Sequence, residues 1–222
     1  MARKNRMLIP NVPIHVTQRG NRQANIFIDD EDKEVYMNAF MFYKKKFKIK
    51  LYAWALMDNH IHFVIESKTN KGIVKLFSCL NTKYAKYFNK KYELTGRLYE
   101  SRYKSCLLDE DHFYEAIRYV ELNPFKAKME TAPSEYYWTS AHERLKRRNT
   151  YYLSRLPEYF QIENWWEYLT EKITLEVQAV WQQIKVFTQR GTPIGNNKFI
   201  QIISKQLGVS LIPLSRGRPS LE

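Results

Sequence analysis

Leu51-Tyr52-Ala53-Trp54-Ala55-Leu56-Met57-Asp58-Asn59-His60-Ile61-His62-Phe63-Val64-Ile65-Glu66 is the stretch on which the fold turns. Residues 51–57 form a dense apolar and aromatic run, Asp58-Asn59 has turn chemistry, and residues 60–66 form a second short β-rich run, so the spacing predicts an antiparallel hairpin. On its second strand His60 and His62 stand two apart and leave the same face, while Ile61, Phe63 and Ile65 occupy the other. The histidines are expected to mark the less buried side of a firmly held strand.

Outward from the hairpin the pattern alternates. Upstream, Ile14-His15-Val16-Thr17-Gln18 alternates apolar and polar positions and stops at Arg19-Gly20-Asn21, which predicts a strand ending in a turn. Between them, residues 31–47 carry Val35, Tyr36, Ala39, Phe40 and Tyr43 at helical spacing, with Lys44, Lys45 and Lys46 near the C-terminal end, where cations suit the helix dipole. Downstream, residues 72–92 regain helical periodicity through Ile73, Leu76, Phe77, Leu80, Tyr84 and Tyr87, with Gly96 as a stop signal. Residues 98–108 read as extended. Asp109 or Asp111 then caps a helix running to Asn123, where Pro124 opposes continuation. Phe113, Ala116, Ile117 and Val120 form its apolar stripe, and Glu115, Tyr119 and Asn123 project from a different face. The order strand, helix, hairpin, helix, strand, helix indicates an α+β domain with helices packed on an antiparallel sheet.

The pattern changes after about residue 130. Residues 138–148 and 165–187 read as helices, followed by Gly191-Thr192-Pro193-Ile194-Gly195, a short amphipathic helix over 198–207 and the basic Arg216-Gly217-Arg218-Pro219. The division expected is the α+β domain over residues 1–130 and a mainly helical extension over 131–222, helix-turn-helix-like with a basic tail and so a candidate nucleic-acid contact.

Composition narrows the partner. The 222 residues hold 36 Lys and Arg against 23 Asp and Glu, a net charge of +13, the balance of a protein that meets polyanions, although a basic soluble surface shows the same sign. Sixteen Tyr, 12 Phe and 5 Trp exceed what a small core needs, and aromatic faces are stacking platforms for unpaired bases. The most basic stretch of the first half runs from Lys71 through Lys75, Lys83, Lys86, Lys90, Lys91, Arg97 and Arg102 to Lys104, against Glu93 and Glu100. Cys79 and Cys106 lie far apart with no CxxC pattern, which supports neither a disulfide framework nor a cysteine-rich zinc site. No apolar run reaches the roughly 18 residues of a membrane span and the first residues lack a signal-peptide core. A soluble, cytoplasmic protein, nucleoid-associated in a prokaryote, is expected.

Two arrangements carry chemistry. His60 and His62 can converge on one divalent ion, since neutral imidazole is a common ligand; on spacing alone they serve equally as polar residues at a solvated strand end. Tyr119 and Asn123, one helical turn apart, place a phenol beside an amide oxygen. A phenol with an ordinary pKa near 10 needs a polarised phosphate or nearby cations to act as nucleophile, and a half-buried tyrosine before a helix-terminal asparagine is the plain alternative.

Taken together, Asn59-His60-Ile61-His62, Gly96-Arg97-Leu98-Tyr99, Arg102-Tyr103-Lys104 and Tyr119-Val120-Glu121-Leu122-Asn123-Pro124 resemble the HUH single-tyrosine transposases, most of all the REP-associated tyrosine transposases. Ile14-His15-Val16-Thr17-Gln18-Arg19-Gly20-Asn21 is similar to their first strand and turn, and the resemblance spans roughly residues 7–130. It implies a ferredoxin-like or RRM-like fold and a divalent ion, Mg²⁺ or Mn²⁺, held by His60, His62 and Asn123. It further implies that Tyr119 attacks a phosphodiester to leave a 5′-phosphotyrosine and a free 3′-hydroxyl, on single-stranded or hairpin DNA such as repetitive extragenic palindromes. Glu100-Ser101 departs from the family's Gln-Gly before Arg-Tyr-Lys. Candidate DNA contacts are Arg19, Arg22, Lys83, Lys86, Lys90, Arg97, Tyr99, Arg102, Tyr103 and Lys104, the two tyrosines as stacking faces. Tyr114 is set aside as nucleophile because its i+4 neighbour is Arg118. A monomer is expected, with a dimer as the other option. The alternative function is a regulator that binds DNA hairpins without cutting; an RNA-binding module would show an RNP signature, and none is present.

Overall fold

A computed structural model describes residues 6–146 and 152–211; the Arg216-Gly217-Arg218-Pro219 stretch and the end of the helix expected over 138–148 lie outside them. The first half of the chain runs β1 (Ile14–Arg19), α1 (Asp30–Lys46), β2 (Ile49–Met57), β3 (His60–Ser67), α2 (Gly72–Lys91), β4 (Lys104–Leu107). The four strands form one sheet in the order β2-β3-β1-β4 with every neighbouring pair antiparallel, which is the ferredoxin-like arrangement of a βαββαβ chain.

Local chemistry sets the elements. Asp29 and Asp32 make a reciprocal capping box at the start of α1, satisfying donors that a helix N-terminus leaves free. Gly20 permits the turn after β1, because a Cβ there would sit 2.0 Å from the Ala24 carbonyl oxygen. A bulge between Leu51 and Ala53 turns both Tyr52 and Ala53 to the same side of β2.

Alternation along the strands divides the core in two. Val16, Trp54, Leu56, Ile61, Phe63 and Ile65 face α1 and α2. On the other side Tyr52, Ala53, Ala55, Val64 and Cys106 face α3 (Glu110–Glu121) and α7 (Leu175–Arg190). A fully buried Phe63 or Ile61 contributes on the order of 1.5–3 kcal/mol, so both faces are firmly held.

The second half differs in detail from the sequence expectation. Pro124 does not simply end the Tyr119 helix: α3 stops at Glu121, and the short α4 (Asn123–Lys126) begins anew with Pro124 in its first turn, where the missing N–H costs nothing. The segment 98–108 is extended at β4 and at two single bridges, Gly20–Tyr99 and Leu108–Ile194. The helix expected over 138–148 is the shorter α5 (Ser140–Leu145), and that over 165–187 is two helices, α6 (Trp165–Thr170) and α7, because Thr174 caps a new helix through Val177 N–H. Last comes α8 (Asn197–Leu207). Residues beyond 130 join both cores, through Tyr136, Trp138 and Ile203 in one and Phe160, Trp181, Ile184 and Ile194 in the other. Among the described residues no helix is long and apolar enough to cross a membrane.

Candidate active site

The side of the sheet covered by α3 and α7 carries the histidines. His60 opens β3 directly after the Asp58-Asn59 turn, opposite Arg19, and His62 lies opposite Thr17. Their rings are 5.0 Å apart and nearly perpendicular. The side expected to be the less buried is closed at His62, which is only 5% exposed because His15 and Tyr119 of α3 pack against its ring. Tyr119, on α3, places its ring 5.6 Å from that of His62 and 5.7 Å from that of His15. Asn123 stands one turn on, donating from Nδ2 to the Tyr119 carbonyl at 3.2 Å.

These residues share one cavity of about 460 Å³, also lined by His15, Thr17, Gln18, Arg19, Glu100, Ser101, Arg102, Lys104, Lys185, Thr188 and Gln189. It is strongly cationic, with Glu100 the lone carboxylate of the lining and 3.4 Å from Lys104. A second cavity of about 260 Å³ adjoins it, shares Ser101, Arg102, Lys104, Thr188 and Gln189, and adds Arg6 and Arg190. Between the two, Lys104 Nζ donates to Gln189 Oε1 at 2.5 Å.

Burial sets the protonation. It pushes His60 down to about 4, with Arg19 adding in the same direction, pushes His15 down to about 3, and holds His62 well below the ordinary histidine value. All three imidazoles are therefore neutral near pH 7, the form that binds a metal. Burial raises the Tyr119 phenol, while the Asn123 side chain and Arg19 oppose that rise.

Among the described residues no group of three or more His, Cys, Asp or Glu is placed to hold a metal. An ion here would depend on an amide oxygen, that of Asn123, beside two imidazoles. That donor set fits a divalent transition ion, and each imidazole has its Nδ1 engaged within the protein, His60 with Asn59 Oδ1 at 2.6 Å and His62 with His15 at 2.9 Å. The surrounding cations oppose a bare ion, so an anionic phosphate is the natural companion.

The DNA candidates separate into groups. Arg19, Arg102 and Lys104 line the cavity. Lys83, Lys86 and Lys90 are exposed on α2, which packs with α1 in the core on the other side of the sheet. Arg22 and Arg97 are exposed and outside the lining of both cavities, Arg22 with a left-handed φ of 53°. Tyr99 is half-buried beside Gly20. Tyr103 corrects the expectation of an open stacking face: it is 5% exposed, its ring packed 4.5 Å from that of Phe77 and 3.8 Å from the Arg6 guanidinium. Lys91, counted with the basic stretch, is engaged by Asp29, Glu31 and Asp32. Tyr114 points elsewhere, its ring against Phe160 and Tyr168.

Sequence reasoning missed His15, Lys185, Thr188 and Gln189. His15 left little signal, because it stands at a polar position in the alternation of β1 and meets His62 only through the pairing of β1 with β3. Lys185, Thr188 and Gln189 recur at helical spacing on α7, which gave a weak one.

Fold and site together describe a ferredoxin-like domain with paired histidines and a tyrosine in one basic cavity. Residues 9–123 match the sequence model of the IS200-like transposases, and the chain belongs to that family. A solved structure of a REP-associated tyrosine transposase bound to a REP hairpin is similar in fold, with a TM-score of 0.53 at 15% identity, covering 71% of this chain and 99% of that one. A putative transposase from Deinococcus radiodurans R1 aligns with a TM-score of 0.38 at 12% identity, over 59% of this chain and 94% of that one. No curated protein matches the chain.

Proposed function

We propose that this transposase-family protein is a single-stranded DNA endonuclease and strand transferase acting on hairpins of the repetitive extragenic palindrome kind, with Tyr119 as nucleophile. The observation that carries the reading is the convergence of Tyr119, Asn123, His60 and His62 on one cavity whose cations are Arg19, Arg102, Lys104 and Lys185. Transposases of this family are generally metal-dependent. Here His60, His62 and Asn123 would hold Mg²⁺ or Mn²⁺, which when bound polarises the scissile phosphate.

The chain's own residues do the rest. Arg19, Arg102, Lys104 and Lys185 draw in the phosphodiester and favour the phenolate as Tyr119 gives up its proton. The Tyr119 oxygen attacks phosphorus, the bond from phosphorus to the 3′ oxygen breaks, and a 5′-phosphotyrosine and a 3′-hydroxyl result. Because the ester stores the bond, a 3′-hydroxyl can reverse the step and join strands without ATP. The adjoining cavity, with Arg6 and Arg190 on its walls, carries the unpaired strand away from Tyr119. Lys83, Lys86, Lys90, Arg22 and Arg97 lie outside the cavity and suit the phosphates of a paired stem. Such a protein would work at the nucleoid, in the cytoplasm, as a monomer or dimer.

The test is incubation of the full chain with a labelled hairpin oligonucleotide and Mn²⁺, followed by denaturing electrophoresis. A covalent protein–DNA adduct that requires Tyr119 is expected. Tight hairpin binding with neither adduct nor cleavage would instead make the protein a non-cutting regulator.

A further inference from the structure

We infer that α7 fixes which nitrogen of His62 carries its proton, through a relay from His62 to His15 to Thr188, which makes His15 and Thr188 positioning residues of the site. The inference rests on the reading of His62 as a metal ligand, but its physical content does not need a metal to be present.

The direction of every hydrogen bond in the chain follows from its last atom. Thr188 Oγ1 lies 2.6 Å from the Ile184 carbonyl oxygen, one turn earlier on α7, and a carbonyl only accepts. Two oxygens that close without a proton between them would repel, so the single Thr188 hydroxyl proton points at Ile184. Thr188 Oγ1 is then an acceptor toward its other neighbours, His15 Nδ1 at 2.8 Å and Cys106 Sγ at 3.0 Å. A neutral His15 that donates from Nδ1 has its lone pair on Nε2. That Nε2 is 2.9 Å from His62 Nδ1, so His62 Nδ1 must donate. His62 Nε2 is left bare, the state a ligating imidazole requires.

His60 reaches the same state by a local route. Its Nδ1 is 2.6 Å from Asn59 Oδ1, and the Asn59 amide nitrogen is bonded to the Gln23 carbonyl at 3.2 Å, which fixes the amide orientation. Both histidines therefore present Nε2 free of protons. Had Thr188 been a hydrogen-bond donor to His15, the pattern would invert and His62 would carry its proton on Nε2, unable to ligate.

The consequence concerns the part of the chain beyond the family match, which ends at residue 123. Thr188 sits 1% exposed on a helix outside that stretch, so α7 supplies the end of the relay that prepares a ligand inside it.

Two-bond ¹H–¹⁵N spectra of the full chain with ¹⁵N-labelled histidine, recorded near pH 7.5 in EDTA, read the tautomers directly. The expected result is Nδ1 protonation at both His15 and His62; Nε2 protonation of His62 would overturn the relay. In Thr188→Val, which keeps the volume and loses the acceptor, His62 should shift toward the Nε2 tautomer and Mn²⁺ affinity, measured by calorimetry, should fall about 10–100-fold. Thr188→Ser should restore both. A Thr188→Val protein that folds with the same tautomer and a Mn²⁺ Kd within about twofold of the original would also overturn the relay. If that variant does not fold, the spectrum of the unaltered protein decides. Wild-type protein that shows the expected tautomers but binds no Mn²⁺ would overturn the ligand reading of His62 and leave the relay intact.

Discussion

Lowering the pH from 7.5 to 5.0 without metal should destabilise the fold through its buried histidines, by an amount that can be worked out. In the unfolded chain a histidine takes up a proton as pH falls through about 6.5, whereas in the fold burial holds His15 down to about 3 and His60 down to about 4. A depressed folded value means the stabilisation is complete above 6.5 and is lost as pH falls from 6.5 toward 4. At pH 5 the unfolded chain binds the proton and the fold still refuses it, so each histidine costs about 2 kcal/mol, roughly 1.5 pH units at 1.36 kcal/mol each. The pair costs about 4 kcal/mol, a large part of the roughly 5–15 kcal/mol typical of a folded domain. His62 adds to the same sign, while Glu115, raised by burial, works against it. Urea unfolding in EDTA should show the midpoint falling by about 2 M if the slope is about 2 kcal/mol/M. The sharper readout is His15→Asn, in which the loss between the two pH values should shrink by about 2 kcal/mol. An equal loss in the variant and the unaltered protein would refute the claim that His15 is held neutral by its burial.

Tyr119→Phe should abolish the covalent adduct while hairpin affinity by fluorescence anisotropy stays within about twofold, and Tyr114→Phe should keep the adduct; the reverse pattern moves the nucleophile to Tyr114. His60→Ala or His62→Ala should remove activity together with its divalent-ion dependence, and Asn123→Ala should weaken both, so undiminished cleavage in EDTA would end the metal reading. Because the cavity is cationic, Mn²⁺ and a phosphodiester should bind cooperatively: in Tyr119→Phe, calorimetry with and without a hairpin should show Mn²⁺ affinity raised about tenfold by DNA, and by reciprocity DNA affinity by Mn²⁺. No change would mean the ion and the phosphate do not share the site. A hairpin with a single-stranded flank should outcompete a plain duplex of equal length at both low and high salt, since phosphate contacts alone fade as salt rises and do not distinguish strands; equal competition at both salts would leave a nonspecific basic binder.

How far the site could be read from sequence depends on how local each signal is. The hairpin and the His60/His62 face follow from a period of two, which a strand cannot hide, and the Tyr119–Asn123 neighbourhood follows from one helical turn. That neighbourhood survives although the helix breaks at Leu122, because α4 restarts at once and keeps Asn123 beneath Tyr119. His15 needed the pairing of β1 with β3, a register that alternation alone does not give. Tyr103 departs for a related reason: its sequence neighbours Arg102 and Lys104 line the active-site cavity, whereas Tyr103, just before β4, packs its ring against Phe77 and Arg6 and meets only the adjoining cavity. The basic stretch is divided by the sheet, since Arg102 and Lys104 line the cavity while Lys83, Lys86 and Lys90 lie on α2 on the other side, a separation that charge along a sequence does not show.

The extension beyond residue 130 was the least legible part, and the polar residues of α3 explain why it belongs to the site. Glu115 accepts from Trp181 Nε1 at 2.7 Å, and Arg118, 1% exposed, donates to the Glu171 carbonyl. Glu121, equally buried, accepts from Ser140 and Trp165 and pairs with Arg144 at 3.0 Å. Each of these partners comes from the extension, and removing one partner of a buried charge pair costs about 3–5 kcal/mol. A sequence pattern shows such residues only as charges on a helix, for which a solvated face is the ordinary explanation. In the fold they fasten the helix that bears Tyr119 to α5, α6 and α7. The same α7 brings Lys185 and Gln189 to the cavity wall and Thr188 to His15, so the extension both holds Tyr119 in place and completes the cavity around it.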